Sequence, residues 1–179
     1  LQTNLLSLIL FVPAVGAALL LFIPRDQVAA LRWTAFAVAL VTLGLSLLLW
    51  FQYDSARAGY QFVENYQWFA VINSNYHVGV DGISLPMVLL TAILTPLAIL
   101  FSFSITERVK AYMILFLFLE TGVLGVFMAL DLLLFFVFYE IGLIPMYFLI
   151  NIWGSANRQY ASLKFILYTM TASLGLLLA

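Results

Sequence analysis

The chain has 179 residues, 65% of them hydrophobic and 8% charged, with a mean hydropathy of +1.12 and a net charge of −1. Soluble domains run at about 45–50% apolar and about 25% charged residues, so no soluble fold hides this much apolar surface and the solvent must be lipid. With no cysteine and one histidine, His77, the sequence excludes disulfides, thiolate metal sites, iron–sulfur clusters and a bis-histidine haem, and its charge leaves no basic face for nucleic acid.

About 20 apolar residues, rising 1.5 Å each, cross a hydrocarbon core, and six such runs follow one another. The first, residues 4–23, ends at the breaker Pro24. It lacks a charged leader and a small-residue cleavage site, so it reads as a spanning helix rather than a signal peptide. The second covers 31–51. The third follows VDGISLP, covers 83–105 and has Pro96 in mid-span. The fourth covers 111–130, the fifth 132–152 and the sixth 160–179. The expected fold class is all-α: a polytopic membrane helix bundle forming one transmembrane domain over residues 1–179. The chain starts at Leu1 and stops within the apolar run SLGLLLA, which reads as part of a longer polypeptide.

Between the second and third spans lies a long polar stretch, residues 52–82. YQWFAVI (66–72) alternates loosely, NSN supplies turn residues and YHVGV follows. This pattern predicts a short β-hairpin on the membrane surface, with Tyr and Trp in the interfacial belt and His77 as a loop histidine. Asp81 and Asp131 precede the third and fifth spans and read as helix N-caps. Six of the seven Lys and Arg flank the odd loops: Arg25, Arg32, Arg108, Lys110, Arg158 and Lys164. By the positive-inside rule those loops face the cytoplasm, and the N-terminus and the hairpin face outside.

The stretch DLLLFFVFYEIGLIPMYFLIN (131–151) has Glu140 at its centre. Glu140 lies about 14–15 Å from either end of its helix, too far to snorkel. A charged side chain at mid-membrane costs about 2.5–3.5 kcal/mol on insertion scales, so an acid there faces protein or water and marks function by default. Glu120, on the preceding span, lies at nearly the same depth as Glu140, and two acids at one depth on neighbouring helices can share protons. Pro145 leaves the carbonyl of Ile141 without its helical partner, and Pro96 does the same in the third span. Freed carbonyls bind water, and a wet, kinked region beside an acid suits a proton path. Blander readings stand beside these. Glu140 can serve as a hydrogen bond between helices, and Glu120, next to Thr121 and Gly122, as part of a helix contact. Lys164, about one turn inside its helix, can snorkel, and the prolines can be packing kinks.

The run VFMALDLLLFFVFYEIGLIPMYFLINIWG (126–154), together with GVDGISLPMVLLT (79–91) and YASLKFILYTM (160–170), resembles the antiporter-like subunits of respiratory complex I, the subunit 4 or subunit M family. The resemblance spans the chain in order. It implies a larger fold of inverted helical repeats, each with a discontinuous helix, of which this chain holds the opening part. It makes Glu140 the proton-path glutamate, partnered by a lysine on a seventh helix outside this chain. Glu120 and Lys164 are further candidates for that path. No cofactor or metal is expected in this chain; flavin, iron–sulfur clusters and quinone belong to partner subunits. The expected partners are the other membrane-arm subunits and the lipid bilayer. The function implied is a proton-translocating membrane-arm subunit of NADH:quinone oxidoreductase. The alternatives are a subunit of a multi-subunit sodium/proton antiporter and a structural membrane-arm subunit without a proton path. The expected location is a bacterial inner membrane, with a mitochondrial or other energy-transducing membrane as the alternative.

Overall fold

The computed structural model describes residues 4–69 and 74–178. In chain order it contains α1 (Leu5–Phe22), α2 (Val28–Gln52), β1 (Gln61–Phe69), β2 (Ser74–Val80), α3 (Ser84–Phe101), α4 (Val109–Met128), α5 (Leu132–Trp153) and α6 (Arg158–Leu178). Five helices, α1 to α5, are long and apolar enough to cross a membrane. Over the described residues α6, which carries Arg158 and Lys164 near its start, is not among them. The third span is shorter as an α-helix than expected. Ser102–Ser104 tighten into a 3-10 turn, where the Ser102 hydroxyl donates back to the Ala98 carbonyl at 2.7 Å.

α4 is the hub of the bundle, packing against α1, α2, α3 and α5, while α6 packs on α5. Helices in lipid gain little from the hydrophobic effect and rely on close packing at small residues. α4 supplies two. A Cβ on Gly122 would stand 2.7 Å from both Cα and N of Gly142, so the α4 and α5 backbones touch there. One turn on, Gly125 leaves the space that the Phe138 ring fills. Two apolar clusters result. One gathers Leu6, Ile9, Leu10, Val78, Leu124 and Met128 near the hairpin. The other gathers Leu20, Leu31, Ile99, Met113 and Leu117 at the far end.

β1 and β2 pair antiparallel. The hairpin differs from its sequence reading in two ways. β1 starts at Gln61, before the expected Tyr66, and Ser74 and Asn75 belong to β2, paired with Phe69 and Gln67, rather than to a turn. The expected strand end at 70–72 and the first turn residue, Asn73, lie outside the described residues. Simple alternation fails because the register slips between Gln61 and Glu64, where Phe62 takes a positive φ of 55°. Such a bulge adds a residue to one strand and re-aims the side chains beyond it. It turns Glu64 inward, to 4% exposure. The Glu64 carboxylate then accepts the N–H of Leu6 at 2.9 Å, the N–H of Ser7 at 3.3 Å and the Ser7 hydroxyl. An acid thus caps the positive N-terminal end of α1. β2 joins the opposite flank: Leu130 N–H donates to the His77 carbonyl at 2.8 Å, and Val78 bridges to Ala129.

The expected caps form. Asp81 Oδ1 accepts from the N–H of Ser84 at 2.7 Å and of Ile83 at 3.0 Å. Asp131 Oδ1 accepts from Leu134 N–H at 3.0 Å. At the end of the bundle away from the hairpin, cations close helix carbonyls. Lys110 Nζ donates to the Leu21 and Ile23 carbonyls at 2.8 Å each, Arg32 to Ile105 at 2.7 Å and Arg158 to Ile152 at 2.7 Å.

Candidate proton site

The Gly122–Gly142 contact fixes the two intramembrane acids. Glu120 and Glu140 each precede their glycine by two residues. On antiparallel helices this sets them on opposite sides of the contact level, about 6 Å apart in rise. Two residues also turn a helix by about 200°, so each carboxyl-bearing residue faces away from the glycine contact. Glu120 lines a cleft against α3, and Glu140 meets α6. Near-equal depth does not make them a proton-sharing pair in this structure, because the α4–α5 contact stands between them.

Glu140 is half-buried. Its Oε1 accepts a hydrogen bond from the Ser173 hydroxyl of α6 at 2.5 Å. The same hydroxyl lies 3.0 Å from the Met170 carbonyl. A hydroxyl has one proton and two lone pairs, so Ser173 can serve either form of the acid. It donates to the carboxylate, or it donates to Met170 and accepts from the neutral acid. No polar group is stranded in either arrangement. Pro145 lies within α5 five residues on and leaves the Ile141 carbonyl, next to Glu140, without its helical donor.

Glu120 is 2% exposed and sits between the two apolar clusters, after Leu117 and before Leu124. Neither carboxyl oxygen has a hydrogen-bond partner among the described residues. Its cleft holds about 230 Å³ and is bordered by Thr91, Thr95 and Ala98 of α3 and by Phe116, Leu119 and Val123 of α4. Pro96 breaks the α3 hydrogen-bond ladder beside it, at the Ala92 carbonyl. A second cleft of about 340 Å³ runs between α4 and α5 to Phe165 of α6. Leu119 and Val123 border both clefts.

Lys164 does not reach Glu140. It precedes Ser173 by nine residues, about 13–14 Å and half a turn of phase along α6. Its ammonium instead stands over the rings of Tyr160 and Tyr168, at 5.7 and 5.8 Å. A larger groove of about 1080 Å³ lies between α1 and α2, but among the described residues its only titratable ones are tyrosines at its hairpin end. Sequence reasoning missed two residues beside these acids and a third at the hairpin. Glu64 was lost in a polar loop. Ser173 and Thr95 are small polar residues inside apolar spans, a faint signal that gains meaning only once the facing helix is known.

The family model for the amino terminus of NADH-ubiquinone oxidoreductase chain 4 matches residues 6–130. The NADH:quinone oxidoreductase/Mrp antiporter transmembrane model matches residues 129–179. NADH-quinone oxidoreductase subunit M of Rhodobacter capsulatus is 46% identical over 180 aligned residues, covering 98% of this chain and 35% of that protein. The F(420)H(2) dehydrogenase subunit M of Methanosarcina mazei is 42% identical, covering 96% of this chain and 34% of that protein. Among solved structures, a chain of respiratory complex I from Thermus thermophilus with bound NADH superposes with a TM-score of 0.81 at 28% identity, over 94% of this chain and 33% of that one. The chain therefore spans about a third of the length of the relatives it matches.

Proposed function

The chain belongs to the NADH-ubiquinone oxidoreductase chain 4 family, and from that premise we propose that it is the opening part of a proton-translocating membrane-arm subunit, with Glu140 as the proton-path residue. The single observation that carries the proposal is the Glu140–Ser173 pair in mid-membrane, next to the carbonyl freed by Pro145. A buried polar group left without a partner costs about 1–3 kcal/mol, more for a charged one. Ser173 can satisfy both the charged and the neutral acid, so a proton can arrive and leave without stranding either residue. A cation supplied by a later part of the full-length protein would favour the charged form, and its withdrawal the neutral one. Redox steps elsewhere in the complex that move the cation would then drive the proton.

Flavin, iron–sulfur clusters and quinone belong, in this reading, to partner subunits, since a chain with no cysteine and one histidine has few means to ligate redox metals. The identity to a subunit named for F(420)H(2) dehydrogenase favours a translocating role that does not depend on the electron donor. The chain 4 match across residues 6–130 favours this assignment over a subunit of a multi-subunit sodium/proton antiporter. We place the subunit in a bacterial inner membrane beside other membrane-arm subunits. Lys164, on the other face of α6, acts at the cytoplasmic mouth rather than on Glu140.

The test is Glu140→Gln in the full-length protein, assembled in its complex and reconstituted in sealed vesicles, with electron transfer and proton uptake recorded together. Proton uptake per electron is expected to fall at least tenfold while the complex still assembles. Unchanged uptake per electron in a fully assembled complex would make Glu140 structural and sink the proposal.

A further inference from the structure

We propose that Glu120 and Thr95 form a second proton-holding site, opening on the α3–α4 cleft and exchanging its proton through water there rather than through Glu140; its place in pumping rests on the proton-translocating reading above. The argument is one of donors and acceptors. Thr95 donates its only proton to the Thr91 carbonyl at 2.9 Å, and Thr91 donates its own to the Met87 carbonyl at 2.8 Å. In this arrangement both hydroxyls present lone pairs to the cleft, and Thr95 could donate to Glu120 only by giving up the Thr91 carbonyl. A carboxylate also has only lone pairs. Glu120, with both oxygens buried and without a hydrogen bond in this geometry, shares its cleft with two hydroxyls that each already donate to a backbone carbonyl. Acceptors set together need a proton between them, either the acid's own or those of a water.

The cleft has the means to hold that water. A water occupies about 30 Å³ of liquid and needs two to four polar partners. The cleft holds about 230 Å³ and provides Glu120, Thr91 and Thr95. Among the described residues Glu120 is the only titratable one bordering it. The step is a simple transfer: a hydronium in the cleft gives its proton to the carboxylate, leaving the neutral acid and a water, and the reverse step releases it. The way towards Glu140 is different. Leu119 and Val123 separate the cleft from the neighbouring one, whose lining of Gly122, Val126, Leu143, Met146 and other largely apolar residues offers a proton almost no polar foothold.

The experiment is infrared spectroscopy of the assembled, full-length complex while H₂O is exchanged for D₂O, on the wild type and on Glu120→Gln, Thr95→Val and Glu140→Gln variants. The expected result is a protonated-carboxyl band that shifts in D₂O, disappears in Glu120→Gln, is displaced in Thr95→Val and persists in Glu140→Gln. The proposal is overturned by the absence of a Glu120-dependent band, or by one that does not shift in D₂O. It is overturned equally by a band indifferent to Thr95→Val, or by one that vanishes with Glu140→Gln. If Glu120→Gln does not assemble, the nearly isosteric Thr95→Val decides by the band's displacement. Pumping by Glu140→Gln is read separately, so loss of the proton-path reading and loss of this site give different results.

Discussion

Asp131 ties three segments together with one carboxylate. It caps α5 through Leu134 N–H, and it holds the start of β2 through the Ser74 hydroxyl at 3.0 Å and Asn75 N–H at 3.2 Å. Burial pushes its carboxyl up, but these donors, led by Leu134 N–H, outweigh it and hold the group below the usual carboxylate range. Its folded pKa is therefore lower than its unfolded one, near 3.9. The anchor contributes fully above the unfolded value and is lost as pH falls through the folded one. Asp131→Ala is expected to destabilise the protein by about 1–2 kcal/mol, the usual cost of a lost N-cap. Thermal unfolding in detergent at neutral pH would show it as a lowered midpoint. The gap between wild type and Asp131→Ala should narrow once the pH drops below about 4. Asp131 and Asp81 were legible as caps because a cap is local. The second duty of Asp131, holding the hairpin, was not legible, since Ser74 lies 57 residues away.

At the scale of elements, the contact between α4 and α5 decides what the acids can do. It rests on an asymmetry between two glycines. A Cβ on Gly122 meets the Gly142 backbone at 2.7 Å, whereas a Cβ on Gly142 finds nothing nearer than 3.9 Å. Gly122→Ala is expected to force the helices apart and cost about 1–3 kcal/mol, as overpacking does, while Gly142→Ala is neutral within about 0.5 kcal/mol. Midpoints of detergent-solubilised variants would show the difference, and equal losses at both positions would contradict the packing described. The helices themselves were readable from twenty-residue apolar runs, and their boundaries agree with the structure to within a few residues except at the end of α3. Their rotation was not readable. Residues in lipid-facing and helix-facing positions are alike apolar, so composition has no stripe to mark the buried face. For the same reason near-equal depth suggested a shared proton between Glu120 and Glu140 that the register of Gly122 against Gly142 removes. The hairpin was visible as a β-element, but its bulge at Phe62 shifted the alternation and hid Glu64.

For the whole molecule, the hairpin closes one end of the bundle by binding α1 through Glu64 and the α4–α5 junction through His77 and Asp131. The positive-inside rule places that end outside. This chain contains no cysteine, so single cysteines introduced into it report its sidedness against the otherwise unchanged protein. Ser55→Cys, in the loop before β1, is expected to react with an impermeant maleimide added to the outside of intact cells. Ser155→Cys, between α5 and α6, should react only after the membrane is opened. The opposite pattern would invert the topology. Three of the cations that set this orientation also bond helix carbonyls: Arg32, Lys110 and Arg158. Their positions serve packing as well as insertion.

By itself the sequence determined that the chain lives in lipid, how many long helices it builds, where most of them begin and end, and that acids lie at mid-membrane. These follow from hydropathy and local capping, which act within a few turns of chain. Only the tertiary structure decided which way each acid turns: Glu140 to Ser173 on α6, Glu120 to Thr95 on α3, and Lys164 to neither. The physical reason is that helix rotation in a membrane is set by close contact between small residues on different helices, and no single helix carries that information alone.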